Sequence, residues 1–537
     1  MNVQQMKDIQ FQDIQEQQWM DAAFAALKGK SMDSLITPTP EGIDLQPLYS
    51  TNKVAEVEES REGWKIAQTS LATTISTFLQ ETKEALANGV EVFGYASTLA
   101  NEQWTDADMM QLKQYILNYP IMWDIQSTND PILQIIQSLT EEEKSSVHGT
   151  ISGIESPFPN VEHAITTEKI HLKGASAVEE LTYVLLQLAN QQEARFQAVR
   201  LHVDTHFFME IAKLRAMRIL WKAFHSTDQH DIPALTIEST TSVRSFSKLD
   251  EHVNLLRAGN ETLAMVLGGS DVIHTTAYNV LTTTDAKSRR LAKNMGLILR
   301  EEAGLSGITD AANGSYAIEA LTEELVKKSW ELFLQLVDLP FTAAQEELFH
   351  RATALHEKRE QALFTRKSSM VGVNQYANPS DEIKSLSTEK TNRVAIPFES
   401  LRYYFSKNPL KAAVVQIGEL KAIKVRTDFV VGFLQAGGVV PNISQVFETA
   451  EMAQKFIEEG SYDYVVLSAT DDDLTNFVPV FSSLFKQTIV EIAGKHPQLE
   501  KWKQDGLHGA IYIGQSIPAK MKEIQALTEG GNTSNGK

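Results

Sequence analysis

The sequence contains no cysteine in 537 residues. Structural disulfides, thiolate nucleophiles, Fe–S clusters and cysteine-ligated zinc are therefore excluded together. Positive charge is also scarce: 49 lysines and arginines stand against 69 aspartates and glutamates, for a net charge of −20. That balance repels phosphate backbones and anionic lipid, so neither nucleic acid nor membrane is an expected partner. Long apolar runs are missing too. No stretch reaches the roughly 18 uninterrupted apolar residues of a membrane-spanning helix. The polar opening MNVQQMKDIQFQDIQEQQWM lacks the apolar core of a secretion signal. A cytoplasmic location is the expectation.

What is present is a globular composition, 42% hydrophobic and 22% charged, with enough chain for more than one core. Residues 1–60 read as an arm: a short helix around Glu16 to Leu27, then a proline-containing extended piece from Thr37 to Tyr49. Ile43, Leu45, Leu48 and Tyr49 give it apolar anchors. Across 61–340, β-rich runs at 90–95, 121–125, 169–172, 196–203 and 234–238 alternate with helical patterns. This order predicts an α/β fold with parallel strands, closed as a TIM (β/α)8 barrel. The clearest helix, Phe207 to Phe224, has one apolar stripe. Its charges Glu210, Lys213, Arg215, Arg218 and Lys222 are expected on a solvated or partner-facing side. Residues 341–408 read as a linker, helical from Ala343 to Thr365. Residues 409–528 alternate again, through fully buried strand patterns at 412–418, 464–468, 488–493 and 509–514 and a helix near Arg426 to Ala436, as in a flavodoxin-like doubly wound sheet. Residues 529–537 are expected to form a disordered tail.

Isolated candidates for chemistry have better structural explanations. His202 and His206 have zinc-like spacing, but Val-Asp-Thr separates them and His202 falls in a strand. His171, His225 and His274 stand alone, as core or surface histidines commonly do. The Gly268-Gly269-Ser270-Asp271 and Gly437-Gly438-Val439 segments lack a phosphate-loop context and read as turns. Asp471, Asp472 and Asp473 suit a helix start near Leu474 better than a cation site. No metal site is expected.

Longer motifs carry a resemblance. Glu41 to Tyr49, the block His206-Phe-Phe-Met-Glu-Ile-Ala-Lys-Leu-Arg-Ala-Met-Arg-Ile-Leu-Trp221, Asn313-Gly-Ser-Tyr316 with Glu319 to Thr322, and Arg366 through Val371-Gly-Val-Asn-Gln-Tyr376 are similar to methylmalonyl-CoA mutases over roughly residues 35 to 525. The resemblance implies a TIM barrel threaded by a CoA ester and a C-terminal cobalamin-type domain, interconverting succinyl-CoA and methylmalonyl-CoA. Catalytic members follow the first strand of that domain with Asp-x-His-x-x-Gly, whose histidine ligates cobalt. Here Leu420, Ala422 and Val425 stand in those places, and the later paired glycines read Ala493-Gly494. On the barrel, a Tyr-His pair reads Ile170-His171 and a Gly-His reads Gly268-Gly269, while Arg61 to Gln68 only faintly matches a substrate segment.

These departures resemble the small subunit of bacterial heterodimeric mutases. They imply no catalytic residue on this chain (His171 being at most vestigial), no cofactor-binding residue, and no bound cofactor. Adenosylcobalamin would sit on a large-subunit partner that this chain stabilises, with the N-terminal arm as the first candidate for the contact. An active acyl-CoA mutase with a rearranged site, or a CoA-ester binding module using His171, are the alternatives.

Overall fold

The structure is a computed structural model that describes residues 15–532 apart from 51–62, 100–102, 128, 191–195, 227–231, 309, 379, 384–385 and 387–391. Arg61 and Glu62 of the faint substrate segment, and residues 533–537 of the expected tail, lie outside the described residues.

Eight parallel strands close a barrel: β1 (Lys65–Thr69), β2 (Val92–Ala96), β3 (Ile121–Asp124), β4 (Gly149–Ser152), β5 (Val161–Thr166), β6 (Phe196–Val203), β7 (Thr236–Thr241) and β8 (Val272–His274), with β8 pairing back onto β1. Alternation along β6 shows how sequence sets the faces. Val199, Leu201 and Val203 are fully buried against the covering helices, so Ala198, Arg200 and His202 point into the lumen.

The run at 169–172 is not a strand. It lies in α1 (Glu168–Lys173), and β5 precedes it. A short apolar run reads equally well as a buried helical turn. Gly174, at φ 110°, then stops α1 in the left-handed region that glycine adopts at little cost.

The helices α2 (Ala177–Asn190), α3 (Phe207–His225) and α4 (Tyr316–Leu336) pack together outside the barrel. The expectation that the α3 charges are solvated is corrected: Glu210, Lys213, Arg215 and Arg218 are all buried. Each has an oppositely charged partner, and Lys213, Arg215 and Arg218 each reach one outside α3. Lys213 lies 3.5 Å from Glu180 and 2.5 Å from Glu210, Arg215 lies 2.7 Å from Glu319, and Arg218 lies 3.0 Å from Asp271. Only such pairing makes buried charge tolerable.

The helix α5 (Phe341–Phe364) opens the connector, and α6 (Ile396–Lys407) ends it. Glu399 on α6 accepts both ends of the Arg393 guanidinium, at 2.7 and 2.9 Å, and the Lys248 amide of the barrel at 2.9 Å. Arg402 donates to the Val373 and Ala436 carbonyls, while Arg366 donates to the Gly432 carbonyl and faces the Phe429 and Phe433 rings.

The second sheet is parallel, with β9 (Ala412–Ile417), β10 (Asn442–Phe447), β11 (Tyr464–Ser468), β12 (Ile489–Ala493) and β13 (Gly509–Ile511) in the order β10-β9-β11-β12-β13. This is the flavodoxin-like order, with its switch point between β9 and β11. The helix after β9 is α7 (Leu420–Ala436), which begins earlier than its sequence pattern suggests. Thr470, not an aspartate, caps the helix Asp471–Phe477, and the three aspartates occupy its first turn. The last helix, α8 (Ile517–Asn532), runs through Gly530 and Gly531 into the expected tail. In the arm, Thr37–Pro38 pairs antiparallel with Asp44–Leu45, and Ile43 is buried among the barrel helices. The helix Glu16–Ala26 buries none of its residues. No helix among the described residues is long and apolar enough to cross a membrane.

Candidate functional site

The barrel lumen is the first place to look, because inward side chains from eight strands converge there. One half is filled by small or apolar groups: Ala67, Val92, Met122 and Val272 form a buried cluster from β1, β2, β3 and β8. The other half holds a buried ion pair. Arg200 on β6 places Nε 2.8 Å from Glu238 Oε2 on β7, and its two Nη atoms each donate to β4 hydroxyls at 3.3 Å, those of Ser152 and Thr150. The Thr150 hydroxyl donates in turn to Glu238. Side chains thus cross the lumen between β4 and β7. A cavity of about 220 Å³ remains below them at the amino ends of the strands, lined by Lys65, Thr150, Glu162, Thr236 and Glu238 among others. Sequence reasoning missed Arg200 and Glu238. The available signal was a charge alternating with Val199 and Leu201 in a strand whose other face is fully buried.

His171 sits at the carboxyl end of the barrel, on α1. It is fully buried and engaged at both nitrogens: Nδ1 lies 2.7 Å from Glu180 Oε1 and Nε2 lies 2.7 Å from Ser242 Oγ. Burial and Arg244 push its pKa down to about 4, outweighing Glu180. Burial raises the Glu180 carboxyl, but Lys213 and His171 pull it further down, to about 2. The ring is therefore neutral at pH 7, with Nδ1–H donating to Glu180 and Nε2 accepting from Ser242. Arg244 closes the cluster, 2.6 Å from Asp204 and donating to the His171 and Ala175 carbonyls. His202 stacks on His171 with ring centroids 5.2 Å apart.

The other candidate histidines are dispersed. His206 precedes α3 without a shared metal set. His225 bonds the Trp221 carbonyl, and His274 Nε2 accepts the Thr69 amide at 3.3 Å. Among the described residues no group of three His, Asp or Glu side chains is placed to hold a metal ion. Gly269 and Gly438 adopt positive φ in turns, as their sequence contexts suggest.

Ligands of open doubly wound sheets bind at the carboxyl edge, in the crevice at the switch point. Here β9 ends at Ile417, Gly418 takes φ 102°, and α7 starts at Leu420. Leu420, Ala422 and Val425 consequently lie on the first two turns of a regular helix, with Leu420 51% and Val425 78% exposed. Arg426, one residue on, donates to the Ala469 carbonyl at 2.9 Å and to Asp471 at 2.8 Å. Its guanidinium spans the loop after β11 and lies against Gly494, where an added Cβ would meet it at 3.7 Å. Beneath it, Thr427 pairs with Ser468 at 2.9 Å and accepts from Gln416 at 3.2 Å.

Sequence comparison places this architecture among known proteins. A sequence model described as methylmalonyl-CoA mutase matches residues 158–451, more than half of the chain. The chain is 28% identical over 376 residues to the methylmalonyl-CoA mutase small subunit of Porphyromonas gingivalis, covering 64% of this chain and 60% of that one. It is 24% identical over 469 residues to the mitochondrial methylmalonyl-CoA mutase of Homo sapiens, covering 70% and 62%. A probable methylmalonyl-CoA mutase small subunit of Mycobacterium bovis is 26% identical over 355 residues, covering 61% and 55%. The matched stretches thus span less than two thirds of these relatives' own lengths. The barrel, the doubly wound sheet that follows it and these matches agree: the chain belongs to the methylmalonyl-CoA mutase family.

Proposed function

We propose that this chain is the non-catalytic small subunit of a heterodimeric, adenosylcobalamin-dependent methylmalonyl-CoA mutase of the cytoplasm, acting in propionate metabolism. In this reading the large subunit binds the cofactor and carries out the succinyl-CoA/methylmalonyl-CoA isomerisation, and this chain stabilises it. The domain division follows: an arm over 1–60, the barrel over 61–340, a linker over 341–408 and a degenerate cobalamin-type domain over 409–528.

The observation that carries the proposal is the carboxyl edge of the second sheet. Its residues do not fit adenosylcobalamin. Leu420, Ala422 and Val425 offer no donor to cobalt, and Arg426 with its partners Ala469 and Asp471 occupies the switch-point crevice. The Arg200–Glu238 pair supports the same reading from the barrel side, because a CoA ester cannot thread a lumen crossed by a buried ion pair. The helix Glu16–Ala26, with Met20 and Phe24 exposed, is the segment best suited to the large subunit. A partner that binds only the native state adds stability by mass action.

The test is reconstitution. The purified chain incubated with adenosylcobalamin and desalted should keep no corrin absorbance and show no isomerisation, while mixing it with the large subunit should raise that subunit's activity and melting temperature. Stoichiometric corrin retention by the lone chain would sink the proposal and favour an active mutase with a rearranged site.

A CoA-ester binding module has one observation in its favour, the cavity of about 220 Å³ below the ion pair. Against it, the two nitrogens of His171, the expected thioester donor, are taken by Glu180 and Ser242.

A further inference from the structure

On the outside of the barrel, the helix Ala286–Glu301 carries four cations in its first two turns: Lys287, Arg289, Arg290 and Lys293. All four line a groove of about 360 Å³ between this helix and the helix Ile75–Leu86, with Glu81 and Glu84 on the opposite wall. Two carboxylates face four cations, so the acidic wall only partly balances the basic one. Glu81 commits one oxygen to Arg289 at 2.8 Å and the other to the Ser70 hydroxyl at 2.5 Å, and Glu84 accepts from Gln80 at 2.6 Å. Among the described residues, no carboxylate stands at ion-pair distance from Lys287, Arg290 or Lys293.

The crowding has a cost. Burial and the neighbouring Arg290 push the Lys293 ammonium below its usual pKa, and its ammonium donates to the neutral Asn88 carbonyl at 2.6 Å. Cations held side by side around a concave surface repel one another until an anion sits among them. This concentration of positive charge stands out on a chain of net charge −20. Arginine beside lysine suits phosphate, since the guanidinium offers a planar fork and the ammonium a compact charge.

We propose that this groove binds a small molecule bearing a multiply charged phosphate group. Its volume exceeds what a single inorganic phosphate fills, which favours a diphosphate or a phosphate ester with an organic body.

The test is calorimetric titration of the full chain with inorganic pyrophosphate and with ADP, at low and raised salt. Saturable binding that weakens with salt is expected, and Lys287→Gln with Arg290→Gln together should weaken it at least about tenfold and flatten the salt dependence. Lys522→Gln, on the distant α8, should leave it unchanged. Equal affinity for the two probes would assign recognition to the phosphates alone. Tighter ADP binding would seat the nucleoside in the groove as well. Both substituted groove residues are exposed, so an unchanged melting temperature shows that the variant is folded. Absence of saturable binding to either probe overturns the proposal. So does binding indifferent to the double substitution, or a preference for an acidic peptide over both phosphates.

Discussion

Arg200 and Glu238 meet inside the barrel with Nε and Oε2 2.8 Å apart, both side chains buried and joined to β4 through Ser152 and Thr150. Removing one partner leaves the other's charge buried without its ion-pair partner. Arg200→Ala should destabilise the chain by about 3–5 kcal/mol, whereas Arg200→Leu with Glu238→Leu should come close to neutral. Urea denaturation checks both. A small loss for the single variant would mean that the pair is solvated rather than a barrier across the lumen.

The clamp between the two halves should respond similarly. Glu399 holds the fully buried Arg393 by two bonds and also accepts the Lys248 amide. Glu399→Ala is expected to cost about 3–5 kcal/mol and to divide one calorimetric unfolding transition into two. A single unchanged transition would contradict the clamp.

The buried cluster around α3 sets a pH dependence with two limbs. Burial raises the Glu210 carboxyl from the ordinary 4.5 to about 7, despite Lys213 beside it. A carboxyl raised on folding contributes stability fully below its unfolded value and loses it as pH rises through the folded one. Glu180 works in the opposite sense: held down at about 2, it contributes above the ordinary value and loses that contribution as the solution becomes more acidic. The melting temperature should therefore fall between about pH 5 and pH 8, and Glu210→Gln should remove part of that fall, about 3 kcal/mol. An identical slope in the variant would show that Glu210 titrates normally.

An exposed apolar helix predicts a partner effect without a fold effect. Phe24 is 60% exposed on a helix that buries nothing. Phe24→Asp should leave the melting temperature of the lone chain unchanged and weaken association with the proposed large-subunit partner by about tenfold or more. Surface-immobilised large subunit would measure this. Equal affinities would remove the arm from the interface.

Introducing an imidazole alone should fail. Ala422→His puts a donor on α7 but leaves Arg426 bridging to Ala469 and Asp471. The variant should retain no adenosylcobalamin after desalting, as read from corrin absorbance.

The alternation of strand and helix was legible in the sequence because β-branched and aliphatic runs such as Ala412 to Ile417 have a single reading. Short or interrupted strands were not. Val161–Thr166 contains Glu162 and His163, and Gly149–Ser152 starts with a glycine, so neither shows a clean apolar pattern. The Ile170-His171 run was misread because periodicity cannot separate four buried residues in a helix from four in a strand. The charges of α3 were misplaced for another reason: Lys213 finds Glu180, and Arg215 finds Glu319, far away along the chain. Only tertiary proximity shows that those ions are neutralised. Leu420, Ala422 and Val425 were singled out from the sequence by resemblance alone, whereas the contacts of Arg426 required the loop after β11.

Arg366, Arg393 and Arg402 stitch the connector to elements on either side of it through carbonyls, a carboxylate and aromatic faces. Among the described residues these contacts tie the connector to both halves, so heat or mechanical load is expected to meet them together. A substitution that loosens the second sheet would be transmitted to the rim of the barrel, so each half stays under constraint for the shape it imposes on the other.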